Sequence, residues 1–352
     1  MIMCGTMIRL SSASTHNSLR LLALCSALGA GACGGGEDGG LVEMAPTKVQ
    51  ELQVDGGQVR VAPLGDAIVV AWQDSMAGTT TLARYDAALA EVWRVSFGTG
   101  LPLRLRVRDG RIHVLGAEEL FVFDADGAMV GQWPVAGAVD FALTDDRLVS
   151  LRSDAVVELD AAGLEVGTYP VAPGFMSPWA IEASAAGYCA TGVLNDADTT
   201  TCFAWDGTRS PVSLQHPGTK FTTERDFVAL TDEGIVSTLT ATLDGLSVYA
   251  LRLADGGYVG EYGFEHGRGV SKVLLGPGER TMWLELEEWC DDNCHIGFRL
   301  GLLDDSASTA IWRTDQFQVN GTVGNAWTAV ADGDRVLVAT DRAVFVVSNE
   351  PE

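Results

Sequence analysis

The chain of 352 residues is short of the residue types that most enzyme chemistry uses. It holds five His and seven Cys, which leaves little material for a metal cluster. No G-x-S-x-G elbow, H-E-x-x-H pair or phosphate-binding glycine loop occurs, so those nucleophile, zinc and nucleotide sites are excluded. Positive charge is scarce too. Lys and Arg number 23 against 47 Asp and Glu, a formal charge of -24. That balance argues against nucleic acid and against charge-driven adhesion to anionic lipid. What the chain does have is glycine (41) and apolar residues (47%). These suit many tight turns around a large core.

The turns are organised. Residues 103–135 read as four short strands. Leu103 to Val107 alternates apolar and basic residues, Asp109-Gly110 turns the chain, and two apolar runs follow at 112–115 and 120–123. Asp126-Gly127 turns again, and residues 129–133 end the unit at Trp133. Residues 58–97 repeat the plan, with Asp86 and Trp93 in the places of Asp124 and Trp133; residues 139–171 repeat it again, with Tyr169 in the Trp place. Asp109 to Asp145 and Gly127 to Gly163 are both 36 residues, and a shared period at two landmarks marks a true repeat. Longer units follow at 179–214, 221–264 and 270–317. The last, 326–348, has only three strands, and residues 48–54 form a lone strand before the first unit. If that strand completes the last unit, the ring closes without a long free edge. The expected fold is therefore all-β: a seven-bladed β-propeller closed by an N-terminal strand, with six or eight blades as the alternative counts.

The units resemble PQQ-like and WD40-like β-propeller repeats. The residues that carry this are Leu120-Phe121-Val122-Phe123-Asp124 with Gly127 and Trp133, and Leu82-Ala83-Arg84-Tyr85-Asp86 with Trp93. The resemblance implies the fold and no cofactor. A β-sandwich array is the competing architecture. The recurring aromatics Trp93, Trp133, Tyr169, Tyr262 and Trp312 are expected to pack between blades.

The N-terminus reads as an address. Arg9 and Arg20 precede a twelve-residue apolar run, 21–32, that ends at Cys33. The run is too short to span a bilayer and fits an export signal. Ala30-Gly31-Ala32-Cys33 resembles the lipobox of bacterial lipoproteins, with Ala30 where that family usually carries Leu. The resemblance implies that residues 1–32 are removed and that Cys33 is lipidated. Gly34, which is not Asp, then implies the outer membrane, facing the periplasm or the cell surface. Ordinary signal cleavage at the same bond would instead leave Cys33 a free thiol. Residues 33–47 would form a Gly-rich tether, 48–348 the propeller and 349–352 a tail. Loss of Arg9 and Arg20 takes the charge from -24 to -26.

Four cysteines remain after Cys33. Cys189 and Cys202 are symmetric about Asn195-Asp196, and a two-residue turn there sets them opposite one another. Cys290 and Cys294 flank a three-residue loop. The same register pairs Leu286 with Phe298, Leu284 with Leu300 and Met282 with Leu302, all on one face. Both cysteine pairs are expected to be disulfides in an oxidising compartment. The first closes a loop worth about 3 kcal/mol in the chain-entropy model. The rival reading, metal at Cys290, Cys294 and His295, lacks a standard spacing and a fourth ligand. Asp124-Ala125-Asp126-Gly127 begins like a calcium loop but lacks the later ligands, so a plain turn is expected.

One binding face suggests itself. In a propeller the linkers that lead into the inner strands gather around the channel. The scarce cations Arg60, Arg104, Lys220, Arg268 and Lys272, with Phe175, Met176, Trp179 and Trp327, are expected there as a basic, aromatic funnel for an acidic ligand or a protein loop. Ordinary pairing of these cations with nearby carboxylates is the competing reading. No metal, cofactor or catalytic residue is expected, and the chain is expected to be a monomer. At fold level it resembles the propeller lipoproteins that assist outer-membrane assembly, which implies a binding or assembly scaffold. A propeller hydrolase or lyase with its site at the channel mouth is the alternative, because fold alone does not fix function.

Overall fold

The computed structural model describes residues 42–44, 48–216, 228–242, 245–263, 269–290, 294–308, 310–314, 317–318, 328–333, 335–340 and 342–348. They form seven antiparallel blades. Blade 1 occupies residues 57–97, blade 2 104–134, blade 3 140–170, blade 4 175–215, blade 5 228–263 and blade 6 269–314. In blade 7 three strands within 328–348 are joined by Lys48–Gln53, which pairs antiparallel with Ala343–Ser348 and sets Leu52 opposite Val344. The lone N-terminal strand thus completes the deficient last blade. The first strand of every blade packs against the first strands of both neighbours, all the way round. These seven strands form the wall of the channel.

Residues 42–44 of the expected tether do something else. Val42–Met44 pairs parallel with Ala310–Thr314 and adds a strand to blade 6. The outer strand of a blade offers unpaired N–H and C=O groups, and a short extended segment satisfies some of them.

The hydrophobic core lies between the blades. In the second strand of blade 1, AIVVAWQ, Ile68, Val70 and Trp72 face blade 7 while Val69 and Ala71 face blade 2. A strand buried on both faces needs a continuous apolar run, as a half-exposed strand does not. The aromatic landmarks take part in this packing. Trp93 of blade 1 lies on Gly127 of blade 2 and donates its indole N–H to the Ala125 carbonyl at 3.0 Å. Trp133 of blade 2 lies on Gly163 of blade 3 in the same way. Tyr169 meets Trp205 of blade 4 edge-on at 5.2 Å, and Tyr262 meets Trp283 of blade 6 at 5.2 Å. The Trp312 side chain is outside the described residues.

The turns follow their chemistry. Asp124 accepts the N–H groups of Asp126 at 3.0 Å and Ala128 at 2.9 Å, and Asp160 repeats this with Ala162 and Leu164. Such self-capping Asp turns explain the aspartates without a calcium ion. Asn195 and Asp196 both have positive φ, 52° and 62°, as a two-residue hairpin turn of this kind requires. The register sets Cys189 opposite Cys202, and the two are joined as a disulfide. In blade 6 the register pairs Cys290 with Cys294, Leu286 with Phe298 and Met282 with Leu302. The side chains of Cys290 and Cys294 are outside the described residues.

Two histidines are sealed into this core. His113 and His216 are 7% and 8% exposed, and burial pushes each down from 6.5 to about 4. His216 is held between the Thr200 hydroxyl at 2.5 Å and the Leu239 carbonyl at 2.9 Å. A depressed His pKa means the folded state resists a proton that the unfolded chain accepts. Stability is therefore complete above pH 6.5 and falls as pH drops toward 4, by up to about 3 kcal/mol for each His. Thermal melts from pH 8 to pH 4 should trace that loss. The doubly substituted His113→Gln, His216→Gln protein should lose less over the same window; an identical slope would clear both histidines.

Candidate functional site

The channel is where the scarce cations meet. Leu103 to Arg108 alternates, and in a strand every second side chain shares a face. Arg104, Arg106 and Arg108 therefore project together from the first strand of blade 2, Arg104–Arg108, while Leu105 and Val107 turn into the core shared with blade 1.

These arginines reach across the blades. Arg60 of blade 1, only 3% exposed, donates from Nε to the Leu103 carbonyl at 2.9 Å. Arg104 donates from Nε to Asp140 Oδ1 of blade 3 at 3.0 Å and from Nη2 to the Trp179 carbonyl of blade 4 at 3.0 Å. Arg106 donates from Nη2 to the Ile181 carbonyl and to Glu182 Oε1 of blade 4, both at 3.1 Å. Asp140 sits at the centre. Its side chain is 1% exposed, and it also accepts the N–H groups of Phe141 at 2.7 Å and Ile181 at 2.9 Å. The cluster is a clasp that stitches blades 1 to 4 at the channel wall. Burial opposes the charge on Arg106, but the facing Glu182 and Asp140 carboxylates outweigh it and hold its pKa above the ordinary arginine value. Arg108, at the far end of the strand, pairs with the exposed Asp145.

The inner strands line an open cavity of about 370 Å³. Of the residues expected in a funnel, Arg60 and Arg104 line it. The expected placement on linkers is corrected here. Arg60, Arg104 and Lys272 lie within the inner strands Gly57–Leu64, Arg104–Arg108 and Gly269–Leu275. Lys272 is fully buried. Phe175 is buried in the core between blades 3 and 4, Met176 is 51% exposed, and Trp179 serves Arg104 through its backbone. Lys220, Arg268 and Trp327 lie outside the described residues. Arg106, Arg108, Asp140 and Glu182 are the members that sequence reasoning missed.

No family model matches the chain, and no curated protein matches it. Solved structures do. The WD40 domain of Neurospora crassa Pan2 superimposes with a TM-score of 0.59 at 12% identity, covering 88% of this chain and 98% of that one. The WD40 propeller of Doa1 gives 0.58 at 12%, covering 86% and 98%. The computationally designed Ika8 protein gives 0.53 at 12%, covering 84% and 98%. At such identity the likeness speaks for fold alone. The chain is a seven-bladed β-propeller with the architecture of WD40 domains.

Proposed function

We propose that the chain is a lipid-anchored propeller of the bacterial envelope, acting as a binding or assembly scaffold that takes an extended segment of a partner protein along the rim of blades 1 to 3. The observation that carries this reading is a repeated apolar position. Val92, Val130 and Val166 each lie six residues after the turn aspartate of their blade, Asp86, Asp124 and Asp160. They are 53%, 55% and 60% exposed, and Met129 and Leu164 beside them are exposed as well. The outer strands of these blades end their sheets among the described residues, so each offers a free edge. Apolar side chains beside a free edge suit strand addition, and blade 6 already takes Val42–Met44 on its own edge.

The envelope location rests on the signal-like N-terminus, Cys33 and the GGGEDGG stretch that follows it. The Cys33→Ser protein should lose incorporated palmitate label and move from the membrane to the soluble fraction. For the scaffold, pull-downs from solubilised envelope should compare the parent chain with Val92→Lys, Val130→Lys, Val166→Lys. These exposed changes should leave the melting temperature within a degree or two. A partner kept by the parent and lost from the triple variant is expected. A partner kept equally by both would reject the rim as the docking face.

A further inference from the structure

The channel cavity is chemically lopsided. On one side stand Arg60, Arg104, Arg106 and Arg108 of blades 1 and 2, with Glu182 of blade 4. On the other, blades 5, 6 and 7 contribute Val228, Ala229, Val273, Leu274, Leu275 and Val330. Four guanidinium groups thus share a wall with Glu182, with the buried Asp140 paired behind Arg104 and Arg106, opposite a wall to which blades 5 to 7 contribute no charged lining residue among the described residues. Three of the four belong to the clasp: Arg60 and Arg104 are 3% exposed and 15% exposed at the side chain, and Arg106 donates to the Ile181 carbonyl and to Glu182. A donor is still unused on each of Arg106 and Arg108. The Nε groups of Arg106 and Arg108 are buried without a hydrogen-bond partner. The partners of Arg108 are the surface carboxylates Asp145 and Asp109, 88% and 86% exposed. Such exposed pairs contribute little and exchange readily.

We infer that this cavity binds a small amphipathic carboxylate, with its charged end at Arg106 and Arg108 and its apolar body against blades 5 to 7. The size fits, because small-molecule sites fall in the range of roughly 300–1,000 Å³. The carboxylate replaces Asp145 as the partner of Arg108 and meets a planar donor fork that suits bidentate carboxylate binding. Burial of the apolar body against the valine and leucine wall supplies the remaining affinity. A purely inorganic anion would leave that wall unused, and a neutral alcohol would leave the arginines unused. The site is separate from the rim proposed for a protein partner, so either can fail without the other.

The test is isothermal titration of the full chain carrying Cys33→Ser, so that detergent is not needed. Sodium decanoate should bind with saturation at one site. Decanol, with the same body and no charge, and inorganic phosphate, with charge and no body, should each bind at least tenfold more weakly. Arg108→Gln and, on the opposite wall, Val330→Asp should each weaken decanoate at least tenfold. Melting curves identify any variant that has not folded. If Arg108→Gln fails to fold, the Val330→Asp protein and the three-ligand comparison decide. Absence of decanoate binding, equal binding of decanol, displacement by phosphate, or unchanged affinity in the folded variants would each overturn the assignment.

Discussion

Asp140→Ala is expected to destabilise the propeller by about 3–5 kcal/mol, because it breaks a buried ion pair from one side only. The carboxylate is 1% exposed and holds four groups: the guanidinium of Arg104, the N–H groups of Phe141 and Ile181, and at 3.9 Å the Arg106 guanidinium. Its removal takes from Arg104, 15% exposed at the side chain, the carboxylate that it meets at 3.0 Å. The urea midpoint at neutral pH should fall well below that of the parent. Asp140→Asn keeps the shape and one acceptor, so it should lie between the two. The decisive comparison adds Arg104→Met to Asp140→Ala. With both charges gone the desolvation cost goes too, and the double variant should be less damaged than the sum of the single variants. Strict additivity would mean that the two groups do not act as a pair.

The clasp also shows what could be read from the chain and what could not. The ring was legible because its signals are local: turns at Asp-Gly, apolar runs of four or five residues, and one spacing shared by two landmarks. Closure followed from a count, since a final blade of three strands and an orphan strand at 48–54 need each other. The blade 4 and blade 6 hairpins were legible because their cysteines and apolar pairs are symmetric about the turns. The site was less so. Arg104 and Asp140 are 36 residues apart and Arg106 and Glu182 are 76 apart, so no local pattern joins them. Even so, 36 is the repeat length, and Arg104 and Asp140 therefore occupy one position in successive repeats. Opposite charges at an equivalent position of adjoining blades are the signal that could have found the clasp. The added strand at Val42–Met44 had no such signal, because a three-residue edge strand carries no period of its own.

Gly163→Ala should cost about 2–4 kcal/mol, and it tests the contact that seats one blade on the next. Two effects combine. Gly163 has φ of +78°, a backbone conformation that costs a side-chain-bearing residue on the order of 1 kcal/mol. A methyl group there would also run into the Trp133 ring of the preceding blade, and overpacking of that kind costs roughly 1–3 kcal/mol. The neighbouring blade supplies the control. Gly110 has φ of +70°, yet an added Cβ would meet nothing within 4 Å. Gly110→Ala should therefore show the backbone cost alone. Trp133→Ala in the Gly163→Ala background should be milder than Trp133→Ala in the parent, since part of the ring's packing has already been forced aside. Blades 1 and 2 repeat the arrangement through Trp93 and Gly127, where an added Cβ would come within 2.9 Å of the ring, so Gly127→Ala should fall between Gly110→Ala and Gly163→Ala. Melting temperatures that do not separate these three variants would show that the indoles do not lock the blades, and the repeated Trp would need another explanation.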